Sequence, residues 1–287
     1  GELASCYNFT RIETPVLELA QLFRNGIGEE SAFVKRELCL LKTRGEDFLV
    51  LRPEGTIPVA RAYLENSLGR TGQPQKLFYE GLMFRRRGTQ APPHRHFTQA
   101  GFETIGGTND SIYDTQIILI FNHLLRSLRI GNFILKTNSI GCRVCRPFYR
   151  KQIQNYYQRY LRELCQECQH CLSANPLRLL SCQRKDCQQF KTEAPNFLDK
   201  ICVSCSRHFQ NVLEYLDELK IPYSLDNRLV GQFDYYNRTI FEFVADGADG
   251  QTLAAGGRYD YLMETLGGRL TPAVGGAVCY ERLTAVM

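Results

Sequence analysis

No stretch of this 287-residue sequence approaches the roughly 20 consecutive apolar residues that a membrane-spanning helix requires. The opening residues, GELASCYNFTRIE, lack the basic start and long apolar middle of a secretory signal. A cytoplasmic protein without membrane contact is therefore expected. Internal repeats and low-complexity tracts are missing too, which argues against a repeat architecture. Neither sign of charge dominates: 35 Lys and Arg stand against 30 Asp and Glu, for a formal net charge of +5. That surplus is compatible with a nucleic-acid partner and equally with an ordinary, mildly basic surface. No dedicated magnesium motif is readable. At this length, with 44% apolar residues, the chain can bury a substantial core in one or two domains.

Cysteine, by contrast, is abundant. Of twelve, nine fall between Cys142 and Cys205, in the groups CRVC, CQECQHC, CQRKDC and CVSC. A secreted disulfide scaffold would spread its cysteines through a small chain, whereas close pairs in a chain of this kind point to metal. Thiolates at such spacing can converge on a tetrahedral Zn²⁺ ion. Cys142, Cys145, Cys165 and Cys168 make the most economical single site, although nine thiols permit other sets, and free structural thiols remain the alternative. A redox role is not expected, because no thioredoxin-like strand and helix accompany any of the pairs.

Along the chain, short apolar runs alternate with loops through the first third, and Asn8 to Val16 reads as a strand. Apolar residues at 117, 120, 121, 124, 125 and 128 then have helical periodicity. Asn132 to Lys136 reads as a strand, and Cys142 to about Leu219 as mainly helical. After Ile221 the strand pattern returns. Strands on both sides of a helical block predict an α+β fold on an antiparallel sheet flanked by helices, with a mainly helical, Cys-rich insertion. The expected division is 1–138, 139–222 and 223–287, the first and last together forming one unit.

Two segments carry most of the chemistry. In KLFYEGLMFRRRGTQAPPHRHFTQAGFETIGG, from Lys76 to Gly107, a strand-like run breaks into Arg85, Arg86 and Arg87, then a loop, then a second strand. Arginines at such a turn suit a polyanion, and Gln99 and Glu103 fall on one face of the return strand. The second segment is LVGQFDYYNRTIFEF, from Leu229 to Phe243. The first resembles motif 2 of class II aminoacyl-tRNA synthetases, and the second resembles the histidine-recognition signature of histidyl-tRNA synthetases, usually LVRGLDYY. LRPEGT at Leu51 to Thr56, NPLR at Asn175 to Arg178, GGRYD at Gly256 to Asp260 and GGAVCYERL at Gly275 to Leu283 follow the same resemblance in order, so that it covers nearly the whole chain.

The resemblance implies a histidine-binding set of Glu54, Thr56, Gln99, Glu103, Tyr235 and Tyr236. Carboxylates, an amide and hydroxyls suit a ligand whose ammonium and ring nitrogens donate hydrogen bonds. It also implies ATP clamps at Arg85 and Arg282, with Arg95 nearby, and Gly256 and Gly257 where backbone would approach a ligand closely. Histidine–tRNA ligation would follow, with L-histidine, ATP with Mg²⁺ and tRNA(His) as partners, and a homodimer through RIETPVLEL at Arg11 to Leu19. Both chain ends read as cut, and the family's anticodon-binding domain would follow the last segment. Three positions depart from the pattern: Gly231 replaces an arginine, Arg87 replaces the glutamate that accepts from adenine, and Pro93 replaces a loop arginine. All three lie on the ATP side. The alternative reading is therefore a histidine-binding paralogue, akin to the regulatory subunit of ATP phosphoribosyltransferase.

Overall fold

The computed structural model describes residues 1–29, 31–45, 47–86, 95–246 and 250–287. Arg87, Pro93 and His94 lie outside the described residues. Among the described residues, eleven strands form two sheets: β1 (Thr10–Arg11), β2 (Leu17–Leu19), β3 (Cys39–Lys42), β4 (Phe48–Leu51), β5 (Gln75–Phe84), β6 (His96–Ile105), β7 (Phe133–Ser139), β8 (Tyr223–Leu225), β9 (Asn237–Ala245), β10 (Thr252–Arg258) and β11 (Ala273–Cys279). The large sheet runs β1-β5-β6-β11-β10-β9-β7-β8, and β2-β4-β3 form a small one. Pairing in the large sheet is antiparallel except at its two edges, where β1 joins β5 and β7 joins β8 in parallel. The α+β architecture expected from the sequence is therefore present. No helix among the described residues is long and apolar enough to cross a membrane.

Both faces of the large sheet are covered, so its central strands do not alternate simply between apolar and polar. On one face, Ile117, Ile120, Phe121 and Leu125 of the helix Ile112–Ser127 meet Phe102, Phe241, Phe243, Val274 and Val278. The helix Val203–Glu218 packs on this same face through Val212 and Leu216. On the other face, the helices Ala20–Ile27 and Thr56–Glu65 bring Phe23, Ile27, Ile57 and Ala60 against Tyr79, Phe97, Ile105 and Tyr259. Between β7 and the helix Val203–Glu218, a helical segment closes over its own core of Tyr149, Ile153, Tyr157, Leu172 and Phe197.

The strand read from Asn8 to Val16 is instead split. Helix Glu2–Cys6 precedes β1, and β2 belongs to the small sheet. Pro15 lies between the two strands, and its missing N–H prevents a continuous ladder through it.

Arg258, only 1% exposed at the end of β10, is the most deeply buried cation. Its Nε donates to Asp114 at 3.1 and 3.2 Å, its Nη1 to Asn109 and Asp260 at 3.1 Å each, and its Nη2 to the Asp110 carbonyl at 2.7 Å and to Asp114. Burial alone would raise the Asp114 pKa, but the charges and hydrogen bonds of Arg258 and His208 together outweigh it and hold the carboxyl far below the usual range. A depressed carboxyl stabilises the fold above its unfolded value of about 4, and that contribution is lost as pH falls below it. Asp114→Asn would leave Arg258 buried without its main counter-charge. The expected loss is ~3–5 kcal/mol in chemical denaturation at neutral pH; a loss under about 1 kcal/mol would show that the remaining acceptors suffice.

Candidate active site

The expected histidine set is built around one bridging residue. Thr56 opens the helix Thr56–Glu65, and its backbone N–H donates to Glu54 Oε2 at 2.9 Å while the Ile57 N–H donates to Glu54 Oε1 at 2.8 Å. A carboxylate on the unpaired N–H groups of a helix start is favourably placed. The same threonine donates its hydroxyl to Glu103 Oε1 at 2.7 Å, and Tyr259 donates to Glu103 Oε2 at 2.5 Å. Tyr235 reaches Glu54 Oε2 at 3.4 Å.

Gln99 Oε1 accepts from the Gly55 N–H at 2.9 Å and from the Tyr79 hydroxyl at 3.2 Å. Its carbonyl is thereby committed to the protein, which leaves the amide Nε2 as its donor. Gln99 and Glu103 do share a face of β6, as their spacing predicts.

Burial pushes the Glu103 carboxyl up to about 8; the hydrogen bonds from Tyr259 and Thr56 oppose that rise and the neighbouring Glu54 adds to it. Glu54 is raised by burial as well, against the pull of the Ile57 and Thr56 N–H groups. Glu103 has room only because its partner directly across on β11 is Gly275, where a Cβ would stand 1.6 Å from Glu103 Oε2. Gly256 and Gly257 serve a related purpose. A Cβ at Gly256 would come within 2.2 Å of the Gly275 carbonyl, and one at Gly257 within 2.7 Å of the Thr239 carbonyl. The backbone they admit is that of the neighbouring strands.

A cavity of about 140 Å³ opens beside this cluster. Glu54, Thr56, Gln99, Tyr235 and Tyr236 line it, together with Arg85 and Arg282. Glu103, 0% exposed, lies behind that wall. The guanidinium of Arg85 sits between the rings of Phe33 and Phe97, 5.1 and 4.9 Å from their centroids, and Nε donates to the Pro53 carbonyl at 3.1 Å. Glu281 accepts the Thr98 N–H at 2.8 Å, which fixes the start of the C-terminal helix Tyr280–Val286, and Arg282 Nη1 then donates to the Thr252 carbonyl at 3.1 Å. Arg95 is not drawn in: it is exposed, outside the cavity wall, and contributes only its carbonyl, which accepts the Arg85 N–H at 2.9 Å.

The cavity is thus lined by carboxyls and guanidiniums together, with Glu37 and Glu54 near enough to Arg85 to favour its charge. It can receive a ligand with a hydrogen-bond-donating end and an anionic end. Tyr79, Tyr259, Glu37 and Glu242 also surround or support it and were not singled out from sequence. For Tyr259 and Glu242 the signal was available, since they lie inside GGRYD and the segment Leu229 to Phe243; Glu37 carries none.

Gly231 lines the cavity in the left-handed region, at φ +75°, with the Tyr236 ring 3.0 Å from where a Cβ would stand. An arginine here would be strained. The resembled signature has its glycine one position later, where this chain has Gln232.

NPLR docks the helical segment onto this loop. Asn175 Nδ2 donates to Asp234 Oδ1 at 2.9 Å, and Arg178 Nη2 donates to the Gln232 carbonyl at 3.3 Å.

The four cysteines grouped from spacing are not brought together. Cys142 and Cys145 join Cys202 and Cys205, while Cys165 and Cys168 join Cys182 and Cys187. Spacing reveals which pairs form a knuckle, but the fold decides which knuckles meet. Here the first pair stands where the helical segment begins and Cys202 and Cys205 where it ends.

The family model described as histidyl-tRNA synthetase matches residues 2–283. A histidine–tRNA ligase of Desulforamulus reducens is 40% identical over 278 residues, covering 96% of this chain and 66% of its own length. One from Dehalococcoides mccartyi is 42% identical over 285 residues, covering 99% of this chain and 68% of its own. The chain thus spans about two thirds of the length of these curated relatives. The crystal structure of apo S. aureus histidyl-tRNA synthetase superposes with a TM-score of 0.78 at 32% identity, over 99% of this chain and 66% of that one. A Bacillus halodurans structure described as an ATP phosphoribosyltransferase regulatory subunit/histidyl-tRNA synthetase shares the fold, with a TM-score of 0.70, at only 23% identity over 99% of this chain and 76% of that one. By family model, sequence identity and fold together, this chain belongs to the histidyl-tRNA synthetases, a family of class II aminoacyl-tRNA synthetases.

Proposed function

We propose that this chain is the catalytic core of a histidine–tRNA ligase, and the cavity lined by both carboxyls and the guanidiniums of Arg85 and Arg282 is the observation that carries the reading. Glu54, Thr56, Gln99, Tyr235 and Tyr236 hold the ammonium and imidazole of L-histidine, with Glu103 behind them. Its carboxylate is thereby turned toward Arg85 and Arg282, which hold ATP; Mg²⁺ enters with the nucleotide. The carboxylate oxygen attacks the α-phosphorus, the bond to the bridging oxygen breaks, and pyrophosphate leaves histidyl-adenylate. The activated acyl group then passes to the 3′ end of tRNA(His). A carboxylate already ionised needs no general base, so the work is positioning and charge stabilisation.

The division into 1–138 and 223–287 as catalytic core, with 139–222 as insertion, is part of this reading, as are zinc within the insertion and a cytoplasmic setting. A homodimer is supported by the small sheet. Leu17, Leu19 and Leu41 share one of its faces and are 45%, 54% and 45% exposed, an apolar surface suited to a second copy.

The reading is tested by histidine-dependent ATP/pyrophosphate exchange, with histidine binding measured on the same sample. Exchange above background is expected; binding without exchange would leave the histidine-binding paralogue instead.

A pH dependence follows from Glu103. Its carboxyl is largely protonated at pH 7, and a donor or cation beside Glu54 and Thr56 favours the ionised form. Histidine binding between pH 6 and 8 should therefore release protons, and affinity should rise with pH by up to about tenfold per unit. Calorimetry in buffers of different ionisation enthalpy reads the release. Glu103→Gln should abolish it, and an unchanged release in that variant would move the proton to another group.

Because Gly231 is left-handed, Gly231→Arg alone should gain little. The pair Gly231→Arg with Gln232→Gly, which restores the order of the signature, should raise exchange by roughly a hundredfold or more if a missing phosphate donor limits the rate. Equal gains from the single and paired variants would show that the loop accommodates arginine without the shift.

A further inference from the structure

We propose that the insertion holds two zinc ions, each in a closed cage of four thiolates, and that together they brace the loop Gly231–Tyr236 from behind. The metal assignment rests on geometry. In each tetrad the four sulfurs lie within 4.8 Å of one another. The Sγ···Sγ separations are 3.8 Å for Cys142–Cys145, 3.9 Å for Cys142–Cys202 and for Cys145–Cys205, and 4.0 Å for Cys165–Cys182. Zinc–sulfur bonds of about 2.3 Å in a tetrahedron place the sulfurs about 3.8 Å apart. All twelve cysteines are free thiols, and Cys6, Cys39, Cys171 and Cys279 belong to neither tetrad.

Backbone N–H groups are already aimed at these sulfurs, as a bound thiolate requires. Val144 N donates to Cys142 Sγ at 3.4 Å and Cys165 N to Cys187 Sγ at 3.4 Å. Four protein ligands leave no open coordination position, so the role is structural. An insertion of this size has a small apolar core, and a metal cage is the usual supplement.

The two cages stand at different places. Cys142 and Cys145 mark the entry to the insertion and Cys202 and Cys205 its exit, so the first cage clasps the two chain segments at its neck. The second lies inside the insertion, among Tyr157, Leu164, Leu172 and Leu180.

Each cage fixes a separate contact to the Gly231–Tyr236 loop. Arg146 follows Cys145 directly; its Nε donates to the Ile140 carbonyl at 3.2 Å, Nη1 to the Asp234 carbonyl at 3.4 Å and Nη2 to the Tyr236 carbonyl. From the second cage, the turn between Cys168 and Cys182 presents Asn175 and Arg178 to Asp234 and Gln232. The loop that carries Tyr235 and Tyr236 is thus held on its far side by groups that both cages position. Arg146 is a positioning residue: it touches the loop, not the cavity.

The bracing role rests on the histidine pocket proposed above; the metal count does not. Elemental analysis of the purified chain should find close to two zinc per chain. It should find one in the pair Cys202→Ser with Cys205→Ser, and one in Cys182→Ser with Cys187→Ser. Less than one zinc in the parent protein, iron in its place, or disulfides on thiol titration would overturn the metal sites.

Arg146→Ala should keep both ions yet weaken histidine binding about tenfold, with Arg146→Lys recovering part of it. Two ions with unchanged affinity would overturn the brace. If the parent protein binds no histidine, the pocket assignment fails alone. Hydrogen exchange at residues 231–236 then reads the brace without ligand: faster exchange in Arg146→Ala supports it, and unchanged exchange rejects it.

Discussion

Three consecutive residues, Arg258, Tyr259 and Asp260, fix both the packing of the large sheet and the shape of the cavity. A guanidinium taken fully from water is tolerable only when its donors are met, and Asp114, Asn109, Asp110 and Asp260 meet them. That requirement pins the helix Ile112–Ser127 to the end of β10. With Arg258 locked, Tyr259 is aimed to the opposite face, where it holds Glu103. Asp260 accepts from Asn237 Nδ2 at 2.8 Å and so anchors the first residue of β9, immediately after Tyr235 and Tyr236. One buried ion pair therefore aligns two walls of the cavity that are distant in sequence.

The carboxyl behind the cavity wall is held in place by the same economy of space. Glu103 lies over Gly275, whose missing side chain makes room for a carboxylate within the sheet. Its neighbour Gly276 faces the other way, where a Cβ would meet the Phe121 ring at 2.8 Å. The glycine pair at the start of the last motif thus serves both faces of the sheet at once. A buried carboxyl with a raised pKa is costly to ionise, so it is available to respond to a donor placed beside it. The two arginines of the lining are presented differently, one between two aromatic rings and the other from a short helix tied down by Glu281.

The helical segment between β7 and the helix Val203–Glu218, rather than standing apart from the site, touches the loop that forms one cavity wall. Its contacts run through backbone carbonyls of Gln232, Asp234 and Tyr236 and the side chain of Asp234. Carbonyl contacts constrain where a loop runs without depending on most of its side chains. This suits a segment in which Gly231 and Gln232 depart from the signature while Tyr235 and Tyr236 keep their places at the cavity.

By itself the sequence determined the α+β class, the helical block between strand-rich segments, and the residue types that would meet a polar, partly anionic ligand. Those features are local. They follow from periodicity, from the alternation that puts Gln99 and Glu103 on one face, and from motifs whose order fits a known family. Cysteine spacing likewise identified knuckles such as CRVC. What it could not decide were the choices made between distant segments. Cys142 meets Cys202 rather than Cys165, Arg95 stays outside the cavity wall, Glu103 stands behind it, and Glu37 enters without a motif to mark it. Spacing fixes only what a short chain can reach. Which tetrad closes, and which carboxyl loses its water, depends on the packing of helices and strands dozens of residues apart, and that is settled only when the whole sheet has formed.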